Sequence, residues 1–284
     1  MTSPSKRLQV AVIGVGRLGA ACATALIDDG ELALAGLVRR PGSHGALPAR
    51  LQRFPLATHV RDLPPVDAAL LCVPVTATAG VAHDLLQARV PLVECAAFEG
   101  EALAEHHAAL ADAARRHRVT AVVGAGWNPG VLPLLSGAFE MLIPRGHSAQ
   151  QRHPGVTLHH SAEAGQVAGV RRALEAEVGG ARYVYVELER GAAFEAVRAR
   201  IEADPLFAGE ATQVFQVDDA GALEDREHEG LVLERLATPA SGRHSSLLLE
   251  ARFEVCDFAA RVMLDAARRL PALPHGAHRY AIGL

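Results

Sequence analysis

A strand, a glycine turn and a helix follow one another near the start of the chain, in the stretch "LQVAVIGVGRLGAACATALIDD". The apolar run at 8–14 is typical of a buried strand, and 17–29 has the spacing of a helix. Between them Gly14, Gly16 and Gly19 form the pattern G-x-G-x-x-G. This order is the context in which that pattern binds a dinucleotide, although a turn whose glycines serve only packing has the same pattern.

The three glycines have separate roles in such a site. Gly14 permits the tight turn, Gly16 lets the backbone approach a pyrophosphate, and Gly19 allows the helix to pack closely on the strand. The N-terminus of the helix adds free N–H groups and a positive dipole. The predicted cofactor-binding residues also include the neighbours of these glycines and the end of a later strand, namely Arg17, Leu18, Cys72, Val73 and Pro74.

Two arginines stand where the second strand of this unit ends, in "GLVRRPGS". In dinucleotide sites this position usually holds Asp or Glu when the cofactor is NAD, because a carboxylate accepts hydrogen bonds from the ribose hydroxyls. A guanidinium instead forms charge-assisted bonds with a 2′-phosphate. Arg39 and Arg40 therefore predict NADP(H), and the alternative is a solvated pair in a Pro-Gly loop.

The rest of the chain indicates two different architectures. Apolar strand runs alternate with helical patterns up to about residue 126, which predicts a doubly wound parallel sheet of the Rossmann type. Beyond it, strand patterns at 155–163, 181–189, 212–218, 230–238 and 245–254 predict a mostly antiparallel sheet. We expect an α/β protein with a dinucleotide-binding domain at 1–126, a second α+β domain at 127–250, and a C-terminal segment at 251–284 that packs back towards the first.

Composition excludes several functional classes. The net charge is −4 and the basic residues are scattered, so we expect no nucleic-acid partner. No apolar run reaches the roughly 20 residues of a membrane-spanning helix, and no signal peptide is visible, which predicts a cytoplasmic protein without a membrane partner. The four cysteines lack CxxC spacing, which predicts free thiols and no metal. Lys6 is the only lysine, which excludes most lysine-dependent mechanisms.

A second informative stretch is "VVGAGWNPGVLPLL", which holds the only tryptophan. Trp127 stands at the carboxyl end of a predicted strand, where open α/β sheets bind ligands. Together with Asn128, Pro129 and Gly130 it forms either a pocket wall beside the nicotinamide or a packing turn at a domain junction. Both interpretations stay open on the residues alone.

The segments "GVGRLG", "LVRR", "GAGWNPG", "GHS" and "HPGV" together resemble meso-diaminopimelate dehydrogenase, and the similarity runs through most of the chain. The resemblance implies a Rossmann domain, a substrate domain, a homodimer, and NADP-dependent reductive amination or oxidative deamination of an amino acid. It also implies that Trp127 belongs to the substrate pocket, that Gly146 and His147 lie near the reacting carboxylate, and that Arg182 binds the distal carboxylate.

The substrate half departs from the family. The family has Trp-Asp-Pro-Gly where this chain has Asn128, and its Tyr-Asp-Asn stretch corresponds to about Ala97-Phe98-Glu99. Candidates for a general acid or base are Glu99 and His147, and His228 in "REHEG" is a further candidate substrate residue. The pair His159-His160 is interpreted as part of a strand, although a role in a site stays open.

These observations predict an NADPH-dependent oxidoreductase of amino or imino acids with altered substrate specificity. Two alternatives remain: a non-catalytic NADP-binding regulator or scaffold, and a reductase of a preformed cyclic imine. A serine hydrolase is excluded, because no G-x-S-x-G turn follows a strand.

Overall fold

The structure, a computed structural model, describes residues 7–43, 45–98, 100–153, 158–208, 211–224, 229–237 and 244–282. Their strands, in chain order, are β1 (Leu8–Ile13), β2 (Leu32–Val38), β3 (Leu56–Ala57), β4 (Ala68–Leu71), β5 (Leu92–Glu94), β6 (Thr120–Val123), β7 (His147–His153), β8 (Val170–Val178), β9 (Ala181–Leu188), β10 (Ala211–Gln216), β11 (Glu229–Ala237), β12 (Ser245–Phe253) and β13 (Gly276–Arg279). Their α-helices are α1 (Arg17–Ile27), α2 (Val75–Gln87), α3 (Gly100–His117), α4 (Val131–Leu142), α5 (Leu158–Ala164), α6 (Phe194–Ala203), α7 (Gly221–Glu224) and α8 (Val255–Arg269).

The chain falls into two compact units. The first combines the chain up to Leu134 with the segment from Cys256 onward, and the second runs from Leu135 to Val255. Within the residues described, no helix is both long enough and apolar enough to cross a membrane.

The first unit is built on a seven-stranded sheet of order β3-β2-β1-β4-β5-β6-β13, in which every pair is parallel. The strands are short and apolar because helices cover a parallel sheet on both faces, and β4 and β6 are buried along their whole length. The order reverses direction between β1 and β4. Doubly wound sheets bind ligands at the carboxyl ends of the strands beside such a reversal.

The second unit contains two three-stranded sheets. In the first, β8 pairs antiparallel with β9, and β9 pairs parallel with β10, which the chain reaches through α6. In the second, β11 lies antiparallel between β7 and β12. Alternate side chains of β9 are buried, and Val184 and Val186 pack with Val197, Ile201 and Phe207 in one apolar cluster. The predicted fold class, a Rossmann sheet plus a mostly antiparallel α+β part, is confirmed.

One predicted strand is wrong. The stretch 155–163 was predicted as a strand, but from Leu158 onward it belongs to helix α5, which ends at Ala164. Residues 154–157 lie outside the described part of the chain. Ser161 and Ala164, three positions apart, are both buried, which is the spacing of a helix face rather than of a strand. His159 and His160 are therefore helical residues.

Candidate functional site

The glycine turn joins β1 to α1 at the carboxyl edge of the parallel sheet. Gly14 has φ +93°, a conformation that favours glycine, and its N–H donates to the carbonyl of Val38 at 2.9 Å, which ties the turn to the end of β2. A side chain at Gly14 would overlap the carbonyl of Cys72, and one at Gly19 would overlap the carbonyl of Gly14. The close packing of strand, turn and helix therefore depends on these two glycines.

The N-terminus of α1 carries the features of an anion site. Gly16 is exposed and stands at the N-cap, where the described residues provide neither a side-chain cap nor an acidic group in the first turn. Arg17 and Leu18 begin the helix and are half-buried. The first N–H groups of a helix have no partner inside it, and together with the helix dipole they attract an anion such as a pyrophosphate.

Arg39 and Arg40 follow β2, next to this turn. The N–H of Arg39 donates to the carbonyl of Ala57 at 2.9 Å, so the backbone is fixed, and the residue is half-buried, whereas Arg40 is exposed. Within the described part of the chain neither guanidinium makes an ion pair or a hydrogen bond. Both charges are thus available to an anionic ligand. The glycine turn, the N-terminus of α1 and these two arginines form a cradle that fits a dinucleotide with a 2′-phosphate.

The end of β4 lies beside the glycine turn. The N–H of Cys72 donates to the carbonyl of Ile13 at 2.7 Å, Val73 packs against the apolar core, and Pro74 is the N-cap of α2. The hydrogen bond with Cys22 and burial raise the pKa of the Cys72 thiol well above its usual value. This raised pKa disfavours the reactive thiolate, so Cys72 contributes a backbone hydrogen bond and packing beside the glycine turn.

The turn with the single tryptophan connects β6 to α4. Trp127 is buried, and its ring meets that of Phe258 edge to face, with centroids 5.2 Å apart. The carbonyl of Trp127 accepts the N–H of Leu132 at 2.9 Å, and the Asn128-Pro129 peptide bond is cis. Gly126 and Gly130 form an isolated bridge that closes the turn. The four predicted residues 127–130 therefore share one compact turn at the carboxyl edge of the sheet.

Two polar residues near this turn were not among the predicted site residues. Glu94 ends β5 with no exposed surface, and His106 of α3 is 7% exposed. Burial and the charge of Glu94 raise the pKa of the nearby Cys95 thiol well above its usual value. The sequence signal was an acidic residue directly after the apolar run "PLV", at the end of a parallel strand.

The second unit carries the remaining predicted residues that the structure describes. Gly146 and the exposed His147 stand at the start of β7. The buried guanidinium of Arg235 lies close to this segment, because it donates from Nε to the carbonyl of Ile143 at 2.7 Å and from Nη1 to Oγ of Ser148 at 2.6 Å. Arg235 therefore fixes the segment that precedes and begins β7.

Arg182 lies on the other sheet of the second unit, in β9. It is 7% exposed, and its Nη1 donates to Oε1 of Glu175 at 3.0 Å. Glu175 has no exposed surface, and its backbone N–H donates to Oγ of Ser161 at 2.9 Å. Arg182 is thus part of a buried ion pair, and its predicted contact with a substrate carboxylate stays a prediction. Glu99 and His228 lie outside the described residues.

The comparisons with known proteins agree with the resemblance seen in the motifs. The meso-diaminopimelate D-dehydrogenase of Bacteroides fragilis is 28% identical over 270 residues, which cover 93% of this chain and 89% of that enzyme. No family model matches the chain. The predicted relationship to meso-diaminopimelate dehydrogenases is confirmed by this relative.

Solved structures similar to this chain show the fold. An engineered D-amino acid dehydrogenase bound to NADP+ has a TM-score of 0.77 at 18% identity, covering 96% of this chain and 93% of that one. The diaminopimelate dehydrogenase of C. glutamicum in complex with diaminopimelate has a TM-score of 0.76 at 18% identity, covering 96% and 92%.

Proposed function

We propose that this chain is an NADP(H)-dependent oxidoreductase that acts on an amino or imino acid at a carbon bearing nitrogen. The similarity to a meso-diaminopimelate D-dehydrogenase over 93% of the chain carries the proposal. The glycine turn and the two arginines, which have no acidic partner among the residues that the structure describes, support it independently, because they fit a phosphorylated dinucleotide.

The cofactor would be held by residues of the first unit. The backbone at Gly14, Gly16 and Gly19 and the N-terminus of α1 would bind the pyrophosphate, and Arg39 with Arg40 would bind the 2′-phosphate. When bound, NADP(H) supplies the hydride acceptor or donor. The chain's own contribution would be to hold the nicotinamide ring and the reacting carbon of the substrate in a fixed relative position.

The substrate residues follow from the resemblance. Trp127 and Asn128 would wall the pocket, Gly146 and His147 would contact the reacting carboxylate, and Arg182 would contact a distal one. His147 is exposed, so its ring is accessible to exchange a proton with solvent or substrate. Glu99 and His228 remain further candidates for the same chemistry.

The substrate specificity is proposed to differ from that of the diaminopimelate enzymes. Asn128 offers an amide where the family has a carboxylate, and the segment 97–98 contributes Ala and Phe near the family's second acidic position. Loss of one charge-assisted bond to an ammonium costs roughly 1.5–3 kcal/mol. The reacting ammonium would therefore be held by fewer charged partners than in the diaminopimelate enzymes, and we expect the affinity for diaminopimelate, or the preferred substrate, to differ.

A substrate panel tests the function. The purified protein is mixed with NADP+ and D- or L-amino acids, including meso-diaminopimelate, and in the reverse direction with NADPH, ammonia and 2-oxo acids. Absorbance of the reduced nicotinamide reports turnover. Reduction of cyclic imines without ammonia would favour an imine reductase, and tight NADPH binding with no turnover on any substrate would favour a non-catalytic NADP-binding protein.

The Arg39→Asp variant tests the cofactor assignment. A carboxylate repels the 2′-phosphate and accepts from ribose hydroxyls, so we expect the ratio of NADPH to NADH affinity to fall roughly 10- to 100-fold, as for loss of one charged hydrogen bond. Arg61→Asp, at another exposed arginine, is the matched control and should leave the ratio unchanged. An unchanged ratio in Arg39→Asp would remove this residue from the phosphate site.

The second unit is proposed to serve substrate binding and dimerisation, as the resemblance implies. A homodimer predicts about twice the mass of one 29.9 kDa chain in light scattering after size exclusion. A monomer at micromolar concentration would contradict this assignment and would leave the cofactor assignment intact.

A further inference from the structure

The carboxylate of Glu94 joins two separate turns of the first unit. Its Oε2 accepts the N–H of Ala96 at 2.6 Å, and its Oε1 accepts the N–H of Gly124 at 3.1 Å. The backbone carbonyl of the same residue accepts the N–H of Ala125 at 2.8 Å. A buried carboxyl group needs such donors, because an unpaired polar group is costly away from water, so both turns are fixed to one side chain.

His106 reaches the same carboxylate from helix α3. Its Nε2 lies 3.5 Å from Oε1 of Glu94, with both side chains almost completely buried. The imidazole ring also stacks on Phe98, with centroids 4.2 Å apart and planes inclined by 29°. His106 therefore contacts both the acid and the far end of the turn that Glu94 holds at Ala96.

The two turns so held follow neighbouring strands. Residues 95–98 follow β5, and residues 124–130 follow β6, with β5 and β6 paired in parallel. A side chain at Gly126 would lie 3.1 Å from Cβ of Cys95, so the two turns touch. Both lie at the carboxyl edge of the sheet, where open α/β sheets bind ligands.

We propose that Glu94 and His106 are positioning residues that lock the 95–98 turn and the tryptophan turn into one arrangement at the reacting end of the site. The inference rests on the proposed function for its kinetic consequence. Neither side chain needs to touch substrate, because each acts through the turns it holds.

The only tryptophan of the chain gives a direct readout, since Trp127 lies in one of the two turns. Glutamine at position 94 retains one oxygen acceptor but turns an NH2 group towards one of the two N–H donors. In Glu94→Gln we therefore expect stronger quenching of Trp127 fluorescence by acrylamide, measured without cofactor. Glu105→Gln, an exposed site on the same helix as His106, is the matched control and should keep the original quenching constant.

Kinetics separates positioning from binding. With the best substrate of the panel, Glu94→Gln should keep its Kd for NADPH, because the cofactor cradle is built from other residues, and lose kcat by about 100-fold, the effect of misplacing a reacting group. All assays are run well below the unfolding midpoint of each variant. Retention of the original kcat and quenching constant in Glu94→Gln would overturn the proposal.

Two variants of His106 keep the test decisive if Glu94→Gln does not fold. His106→Phe retains an aromatic ring against Phe98 but loses Nε2, and His106→Leu loses both contacts. We expect kcat to decrease in the order unaltered protein, Phe variant, Leu variant, with Trp127 quenching rising in the same order. Equal values in all three would overturn the role of His106.

Failure of the proposed function is distinguishable from failure of this inference. If the unaltered protein turns over no substrate, the proposed function fails, while Trp127 quenching in the same variants still decides whether Glu94 and His106 hold the turns. Increased quenching would support the positioning role, and unchanged quenching would contradict it.

Discussion

At the scale of single residues, the described arginines stand in two opposite environments. Arg39 and Arg40 have no acidic partner among the described residues, whereas Arg182 is buried against the unexposed Glu175. A buried ion pair adds little when both members are present, but removal of one member leaves the other charge in a medium of low polarity. The sequence does not distinguish these cases, because burial depends on residues distant in the chain.

This difference predicts the cost of replacing Arg182. Arg182→Met should lower the free energy of unfolding by about 3–5 kcal/mol, since Glu175 loses the buried guanidinium that donates to its Oε1. The measurement is urea unfolding followed by far-ultraviolet circular dichroism.

Arg198→Met is the matched control in the same unit. Arg198 pairs with Glu195 at 2.9 Å, and both side chains are exposed, by 44% and 70%, so we expect a loss of at most about 1 kcal/mol. Equal losses in the two variants would contradict a specific cost of the buried pair. The double change Arg182→Met with Glu175→Leu should recover part of the stability, because the buried carboxylate that lost the Arg182 guanidinium is removed as well.

At the scale of secondary-structure elements, one aspartate links the end of α1, the start of β2 and helix α8. Oδ1 of Asp29 accepts the N–H groups of Glu31 at 2.9 Å and Leu32 at 2.8 Å, and Oδ2 accepts from Arg268. Burial alone would raise the pKa of Asp29, but these donors lower it overall. The ionised carboxylate is therefore the form that stabilises the fold.

The sign of this shift predicts a pH dependence for Asp29→Asn. The stabilisation is fully present above the unfolded pKa of about 3.9 and is lost as pH falls through the lowered pKa of the folded state. At pH 7 the variant should lose roughly 1.5–3 kcal/mol of unfolding free energy, as for bonds to a charged group. The difference from the unaltered protein should shrink on acidification below pH 4.

Asp28→Asn provides the comparison for this prediction. Asp28 is the neighbouring residue, and its side chain is 66% exposed in a surface pair with Arg50. We expect little change at any pH. A pH-independent loss in Asp29→Asn would contradict the assignment of the stabilisation to the ionised carboxylate.

The elements that sequence predicted are those with local signals. The first βαβ unit and strands β4, β5 and β6 were found because parallel strands in the core are continuously apolar. The short strands β3 and β13 of the same sheet were not predicted. Helix α5 was predicted as a strand, because "VTLHHSAE" is short and its helical spacing shows only when Ser161 and Ala164 are known to be buried. Strands β7 and β8 were missed, since polar residues interrupt them.

The candidate site likewise contains residues that the local sequence predicts and residues that only the packing brings together. The glycine turn and Arg39 are local to one βαβ unit and could be predicted from spacing. The cluster of Glu94, His106 and Phe98 could not, because it is created where α3 packs against the end of β5. A glutamate after a strand is compatible with solvent, a ligand or a buried anchor, and only the packing decides.

At the scale of the whole molecule, cofactor binding should appear as stability. A ligand that binds only the folded state at 100 times its Kd stabilises it by about 2.7 kcal/mol. We expect NADPH to raise the unfolding midpoint in a thermal scan, and NADH at the same concentration to raise it much less. Arg39→Asp should remove the difference, and equal stabilisation by both cofactors in the unaltered protein would contradict the NADP assignment.

The two arginines after β2 also have an evolutionary consequence. Gly14 and Gly19 are held by close backbone packing, so a change there damages the fold together with the site. Arg39 and Arg40 make no ion pair within the described residues, so we expect their replacement to cost the folded chain little. Cofactor preference in this lineage can therefore drift through substitutions that selection on folding does not detect, while the ability to hold a dinucleotide at all stays under strict constraint.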